Sequence, residues 1–109
     1  MIIQLNDINF EDILKRNDNI RLMIDCWSPQ CELCRHSAAT FDELSNELTT
    51  KILFAKLNVT NCPIFVSKFQ INIIPFIGII YKGKLEKGYN GIVTKIEILD
   101  WLQSRGLCK

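Results

Sequence analysis

Two cysteines separated by two residues are the part of this sequence best suited to chemistry. Cys31 and Cys34 lie within residues 25–36, DCWSPQCELCRH, at the end of an apolar run. Two thiols at this spacing can form a redox couple, supply half of a metal site, or be small buried core residues. Which of these applies decides what the protein does.

The redox interpretation depends on where a helix begins. We predict that a strand ends at Trp27, that residues 28–30 turn the chain, and that a helix begins around Cys31. Unpaired backbone N–H groups and the positive end of the helix dipole would there favour a thiolate, the nucleophile of disulfide exchange. Cys34 would follow nearly one turn later on the same face, close enough to form a disulfide. One thiol could attack a substrate disulfide and the other could resolve the mixed intermediate.

The other two interpretations fit the sequence less well. Zinc usually takes two pairs of cysteine or histidine ligands, and the chain has one such pair. His36, Cys62 and Cys108 could complete a metal site only through a geometry that the spacing does not indicate. Two inert core cysteines are disfavoured because side chains at a strand-to-helix corner are exposed.

Composition excludes several classes of function. The 109 residues suit one domain, and 48% hydrophobic residues are typical of a globular domain with a core. The net charge of +1 and the interrupted lysines near Gly83 predict no nucleic-acid partner. No apolar segment is long enough to cross a membrane, and the N-terminus lacks the apolar core of a signal peptide. We therefore expect a cytoplasmic protein, although a domain excised from a secreted precursor stays open.

The cysteine count argues against a disulfide-stapled fold. Five cysteines make an odd number, and three of them fall within nine residues. Small secreted domains usually have an even set spread along their loops. We expect Cys26 to be a buried structural thiol and Cys108 to lie in a frayed tail. Cys62, at a helix start, could be reactive or could only cap the helix, and His36 is expected to be solvated.

Apolar patterning predicts five strands and four helices. Strands are expected at residues 2–5, 22–27, 52–57, 75–81 and 84–89, and the three long apolar runs among them indicate central strands. Helical spacing occurs in four groups: Phe10, Ile13 and Leu14; Cys34, Ala38, Phe41, Leu44 and Leu48; Ile64, Phe65 and Phe69; and Ile92, Ile96, Leu99 and Leu102. This alternation predicts an α/β sandwich with helices on both faces of the sheet.

Residues 24–34 resemble the active-site segment of the thioredoxin family. That family typically has an acidic residue six positions before the first cysteine and a tryptophan four positions before it, which Asp25 and Trp27 match. Lys56 lies in a segment that is similar to the family strand bearing a lysine beside the buried aspartate. Ile74-Pro75 resembles the cis-proline site that faces the cysteines.

Two glycines extend the resemblance over essentially the whole chain. Gly83 is similar to the glycine of the family's hairpin turn, and Gly91 to the one before its last helix. The resemblance implies a single thioredoxin-like domain over residues 1–109. Its fold would be a three-layer α/β/α sandwich with a central five-stranded mixed sheet and four helices.

The resemblance also implies a reaction and its residues. The chain would be a protein-disulfide reductase in which Cys31 attacks, Cys34 resolves, and Asp25 accepts the Cys34 proton through water. Trp27, Lys56 and Pro75 would support the site, and Lys56 would either pair with Asp25 or extend to solvent. Substrate would be bound by Gln30, Ile74, Pro75 and Gly91.

The implied partners are proteins. Protein disulfides would be the substrates, a thioredoxin-reductase-like protein would donate electrons, and the chain would act as a monomer. No metal or other cofactor is expected, because the redox couple lies in the Cys31–Cys34 disulfide.

Three positions depart from the family pattern. Gln30 replaces an aromatic residue of the docking surface, and Glu32-Leu33 replaces Gly-Pro between the cysteines. The Glu32 carboxylate disfavours a thiolate on Cys31. These departures keep open a second function, a non-catalytic thioredoxin-like module for binding or redox sensing.

Overall fold

The fold is described from a computed structural model, which describes residues 2–48 and 52–108. The strands are β1 (Ile2–Leu5), β2 (Arg21–Trp27), β3 (Ile52–Asn58), β4 (Phe76–Tyr81) and β5 (Lys84–Asn90). The helices are α1 (Phe10–Arg16), α2 (Leu33–Glu47), α3 (Pro63–Lys68) and α4 (Lys95–Ser104). The predicted five-stranded α/β fold is confirmed.

One mixed sheet has the strand order β1-β3-β2-β4-β5. Strands β1, β3 and β2 are parallel, whereas β4 runs antiparallel to β2 and β5 antiparallel to β4. The long apolar runs form β2, β3 and β4, which have a neighbour on both sides. Their lack of alternation reflects burial on both faces.

Each face of the sheet has its own apolar core. On one face, Phe10 of α1 meets Phe65 of α3 edge to face, with ring centroids 5.2 Å apart. On the other face, Phe41 of α2 packs in a cluster with Ile98 of α4. Because side chains alternate along β2, Cys26 points to the α1–α3 face, and Asp25 points to the α2–α4 face.

The predicted apolar face of the last helix is wrong in its first half. Ile92 precedes α4 and is 54% exposed, and Ile96 in its first turn is 70% exposed. The buried residues of α4 are Ile98 and Leu102. Of the predicted group, Leu102 is buried and Leu99 packs against the same core, whereas Ile92 and Ile96 are replaced in the core by Ile98.

A capping box fixes where α4 begins. The Thr94 hydroxyl accepts a hydrogen bond from the backbone N–H of Glu97 at 3.1 Å, and the Glu97 carboxylate accepts one from the backbone N–H of Thr94 at 2.9 Å. Two backbone donors at the helix start are thereby satisfied. This Thr-x-x-Glu pattern is a local signal that the sequence itself contains.

The turn between β4 and β5 needs two residues with left-handed backbone. Lys82 has φ +53° and Gly83 has φ +77°. Such a turn matches the right-handed twist of the paired strands. No helix in residues 2–48 and 52–108 is long and apolar enough to span a membrane.

Candidate active site

The cysteine pair lies where the carboxyl ends of the three parallel strands meet. After β2 the chain turns at residues 28–30, and the backbone N–H of Cys31 donates to the Ser28 carbonyl at 3.2 Å. Cys31 and Cys34 are joined by a disulfide, with their Cα atoms 5.3 Å apart. This bond is what the redox interpretation of the motif requires.

The regular helix begins two residues later than the sequence predicted. Helix α2 starts at Leu33, and Glu32, at the capping position, makes no side-chain capping bond. The Cys31 sulfur accepts a hydrogen bond from the backbone N–H of Cys34 at 3.2 Å instead. The sulfur thus occupies the place of a capping group, where helix N–H groups favour negative charge.

The two sulfurs differ in exposure. Cys31 is half-buried, and only 4% of Cys34 is exposed. The expectation that both side chains of the corner are exposed is wrong for Cys34, because it lies on the buried face of α2. A substrate from solvent can therefore reach Cys31 more readily than Cys34.

Asp25 is a buried carboxylic acid in the central strand. It is 1% exposed, and its Oδ1 has no hydrogen-bond partner among the described residues. Burial raises the pKa of Asp25 to about 6, which the positive charge of Lys56 opposes and the negative charge of Asp42 reinforces. The group can consequently change protonation state close to neutral pH.

Lys56 lies directly opposite Asp25 on β3 but is paired with a different carboxylate. Its Nζ is 3.0 Å from Oδ1 of Asp42 on α2 and 5.9 Å from the ring centre of Phe41. The sequence left open whether the ammonium meets Asp25 or extends to solvent. It does neither, since it binds an exposed carboxylate at the rim of the site.

A cavity of about 330 Å³ lies beside the disulfide. Five of the residues predicted for the site line it, namely Asp25, Trp27, Cys31, Cys34 and Lys56. Its other lining residues are Gln4, Ser28, Pro29, Arg35 and Ala38, which the sequence analysis did not assign to the site.

Gln4 could have been found from the sequence. It is paired in register with Lys56, which is paired in turn with Asp25. Each of these strands is otherwise largely apolar, so three polar residues form one row across β1, β3 and β2. A single polar residue at matching positions of neighbouring strands was the signal.

The predicted substrate-binding residues lie outside the cavity lining. Gln30 is exposed, Ile74 and Gly91 are half-buried, and Pro75 is buried. The Ile74-Pro75 peptide bond is cis, as the resemblance implied. The backbone N–H of Gly91 donates to the Pro75 carbonyl at 2.7 Å, so these two loops are held together.

Exposed apolar side chains accompany these loops. Leu33 lies between the two cysteines, Ile73 precedes Ile74-Pro75, and Ile92 follows Gly91. Each of the three is more than half exposed. All three belong to the end of the sheet at which β2 reaches the cysteine pair.

The remaining cysteines are not part of the site. Cys26 and Cys62 are buried in the α1–α3 core, and desolvation raises the pKa of both thiols. A reactive Cys62 is therefore disfavoured. Cys108 does not lie in a frayed tail as predicted, because its sulfur contacts the Leu99 carbonyl at 3.8 Å. Within the described part of the chain, no group of three or more candidate metal ligands comes together.

Comparison with known proteins points to one family. The family model described as Thioredoxin matches residues 1–104. The thioredoxin of Griffithsia pacifica is 31% identical over 103 residues, which cover 94% of this chain and 93% of that protein. The thioredoxin of Haemophilus influenzae is 27% identical over 101 residues, covering 93% and 94% of the two chains.

Proposed function

Because this chain belongs to the thioredoxin family and is a thiol–disulfide oxidoreductase, we propose that it acts as a protein-disulfide reductase. The observation that carries the proposal is the Cys31–Cys34 disulfide, in which one sulfur is accessible and the other is shielded. Such a pair separates the attack on an external disulfide from the intramolecular step that releases the product.

The first step begins with the reduced protein. The Cys31 thiolate attacks one sulfur of a substrate disulfide, so the substrate S–S bond breaks and a mixed disulfide with Cys31 forms. The first substrate thiolate leaves and takes a proton from solvent. Stabilisation of the attacking thiolate comes from its place at the start of α2, where its sulfur accepts the Cys34 N–H.

The second step regenerates the internal disulfide. The Cys34 thiol gives its proton to Asp25, and the resulting thiolate attacks the Cys31 sulfur. The Cys31–Cys34 bond forms, the mixed disulfide between Cys31 and the substrate breaks, and the second substrate thiolate leaves and takes a proton from solvent. The substrate has then gained two electrons and two protons. A proton acceptor works best with a pKa near the working pH, and Asp25, at about 6, meets this condition. The cavity gives room for a bridging water.

The surface beside Cys31 favours a polypeptide substrate. Exposed Leu33, Ile73 and Ile92 offer apolar contacts around the cysteines. In our proposal Ile74, Pro75 and Gly91 hold an extended substrate segment, and Gln30 contacts its flank. Trp27 covers the site, and Lys56 is in contact with the same cavity as Asp25.

We further place this single-domain protein in the cytoplasm, where it would act as a monomer. Three cysteines in the described residues are unpaired thiols, which is typical of a reducing compartment. Electrons would come from a thioredoxin-reductase-like protein that reduces the Cys31–Cys34 bond. No further redox group is needed in this scheme.

Reduction of insulin disulfides by dithiothreitol tests the proposal. We expect the wild-type protein to accelerate the reaction and Cys31→Ser to fall to the uncatalysed rate, because the attacking sulfur is gone. Cys108→Ser is the matched control, since that thiol lies outside the site, and it should keep wild-type activity. Equal slow turnover by the wild type and Cys31→Ser would instead favour the binding module.

Trapping of the mixed disulfide with a Cys34→Ser variant identifies the substrates. Cys34→Ser can form the mixed disulfide but cannot resolve it, so partners should stay covalently bound to Cys31 until dithiothreitol releases them. The Cys31→Ser/Cys34→Ser double variant is the control for noncovalent capture. Recovery of the same proteins with both variants would contradict a disulfide-exchange mechanism.

A further inference from the structure

Lys56 is placed between two carboxylates that belong to different elements. In the β2–β3 register Lys56 is the direct partner of Asp25, so both side chains extend from the same face of neighbouring strands. The Lys56 ammonium nevertheless lies 3.0 Å from Oδ1 of Asp42, whereas Oδ1 of Asp25 has no partner in the described structure. Lys56 has a flexible four-carbon side chain, and its charge already acts on Asp25 from its present position.

The choice between the two carboxylates depends on the charge of Asp25. A protonated Asp25 offers the ammonium little electrostatic attraction, so the ion pair with the half-exposed Asp42 is preferred. An ionised Asp25 is poorly solvated, and an ammonium a few ångströms away stabilises it more strongly than the same ammonium stabilises an exposed carboxylate. Each protonation state of Asp25 therefore favours a different partner for Lys56, and the structure shows the ammonium on Asp42.

We propose that Asp42 is a positioning residue for the reaction: it holds the Lys56 ammonium away from Asp25 when Asp25 is protonated and yields it when Asp25 ionises. This inference rests on the proposed role of Asp25 as the acceptor of the Cys34 proton. Asp42 makes Asp25 a stronger base by drawing the stabilising cation away from it. Neither Asp42 nor Lys56 forms or breaks a covalent bond to substrate.

The other groups around Asp25 do not account for the same effect. The cavity beside Asp25 contains Cys31, Cys34 and Arg35 from α2 and its preceding turn, Lys56 from β3 and Gln4 from β1. On β4 the paired residue is Ile77, and on β2 the thiol of Cys26 lies on the opposite face. Asp42 is the carboxylate that influences the pKa of Asp25 from α2, which it raises.

A neighbouring carboxylate provides a matched control. Glu43 follows Asp42 on α2 and is similarly exposed, but it lies 3.4 Å from Nζ of Lys95 on α4. Glu43→Gln therefore removes the same charge from the same helix without releasing Lys56. Any effect of Asp42→Asn that Glu43→Gln shares would be a general charge effect.

Direct titration of the Asp25 carboxyl by carbon-13 NMR tests the inference without reference to activity. We expect Asp42→Asn to lower the pKa of Asp25 from about 6 by about one unit, because Lys56 is then free to pair with it. Glu43→Gln should leave the pKa of Asp25 unchanged. An unchanged titration in Asp42→Asn overturns the proposal.

Two further variants separate sharing of Lys56 from direct repulsion between the carboxylates. In a Lys56→Met background, Asp42→Asn should shift the titration by less than half as much as it does when Lys56 is present. Equal shifts in both backgrounds would show that Asp42 acts on Asp25 directly, and the proposal would be wrong.

Kinetics distinguish failure of the inference from failure of the proposed function. The rate of mixed-disulfide resolution in Asp42→Asn should fall several-fold near neutral pH. The midpoint of its pH profile should move to lower pH by the same amount as the pKa of Asp25. Resolution at the wild-type rate in Asp25→Asn would reject Asp25 as the proton acceptor. Slow resolution in Asp25→Asn with an unshifted profile in Asp42→Asn would reject only the role of Asp42.

Discussion

At the scale of single residues, Asp25 shows how one polar side chain in an apolar strand acquires a function. Its burial follows from its place in β2, the central strand, under α2. Desolvation raises its pKa towards neutrality, and the raised pKa makes it a usable base. The same burial costs folding free energy whenever the group is ionised.

Replacing Asp25 with asparagine should stabilise the protein at neutral pH. The pKa of Asp25 is raised from 3.8 to about 6 on folding, so the folded state holds the proton more tightly than the unfolded state. Its contribution to stability is fully present below the unfolded pKa and is lost as pH rises through the folded one. From these two values we expect Asp25→Asn to gain up to about 3 kcal/mol at pH 7.

Chemical denaturation at several pH values between 4 and 8 measures this difference. The gain should grow as pH rises to about 6 and then level off. Asp18→Asn, which changes an exposed aspartate, serves as the control and should keep the wild-type pH dependence. Parallel stability curves for wild type and Asp25→Asn would be inconsistent with a raised pKa.

At the scale of elements, two helices are capped in different ways, one by residues next to it in the sequence and the other by a residue far along the chain. The box of Thr94 and Glu97 on α4 is local and can be read from the sequence. Helix α3 instead receives its cap from a loop 57 residues away: the Asp7 carboxylate accepts the N–H groups of Ile64 and Phe65, each at 3.0 Å. Its own capping residue, Cys62, makes no side-chain cap.

Removing this distant cap should weaken the packing of α3. We expect Asp7→Ala to lower the free energy of unfolding by about 1–2 kcal/mol, because two backbone donors lose their acceptor and the helix loses a favourable charge. Asp7→Asn, which keeps one acceptor oxygen, should recover part of the loss. Urea denaturation measures both, and a loss for Asp7→Ala no larger than that for Asp18→Ala would argue against the cap.

At the scale of the whole molecule, ion pairs between side chains stabilise the end of the sheet opposite the cysteines. Arg21 on β2 makes two hydrogen bonds to Glu86 on β5, at 2.8 and 3.0 Å, across the intervening β4. Its guanidinium lies 4.0 Å from the ring centre of Tyr81, and Arg105 after α4 approaches Glu86 at 3.7 Å. The ion pairs that stabilise the sheet and the cysteines that carry the chemistry thus lie at opposite ends of the sheet.

This separation predicts a variant that changes stability alone. Glu86→Gln should lower the free energy of unfolding by about 1–2 kcal/mol, since it breaks a two-pronged charged pair that is mostly shielded from solvent. Insulin reduction at a temperature where the variant is folded should proceed at the wild-type rate. A loss of turnover by the folded variant would contradict the separation.

The pH dependence of this effect is opposite in sign to that of Asp25. Hydrogen bonding to Arg21 lowers the pKa of Glu86 below its ordinary value of 4.5. Its contribution is therefore present above that value and is lost as acid protonates the folded carboxyl. The difference between wild type and Glu86→Gln should shrink below pH 4.5 in the same denaturation series.

The sequence by itself determined the features that depend on neighbours along the chain. The three long apolar runs set β2, β3 and β4 to within one residue at each end, because burial on both faces leaves a local pattern. The Cys31–Cys34 spacing likewise allowed the disulfide, since the turn that leads into α2 brings the two Cα atoms to within 5.3 Å. The start of α4 is also determined locally, by Thr94 and Glu97, although apolar spacing wrongly added Ile92 and Ile96 to its core-facing side.

Only the tertiary structure decided which distant groups meet and which atoms solvent reaches. Lys56 is adjacent in register to Asp25, yet its ammonium binds Asp42 because α2 crosses over that part of the sheet. The shielding of Cys34 likewise depends on packing against the sheet. These outcomes arise from how parallel strands and covering helices bring distant segments together, and a linear pattern does not contain that geometry.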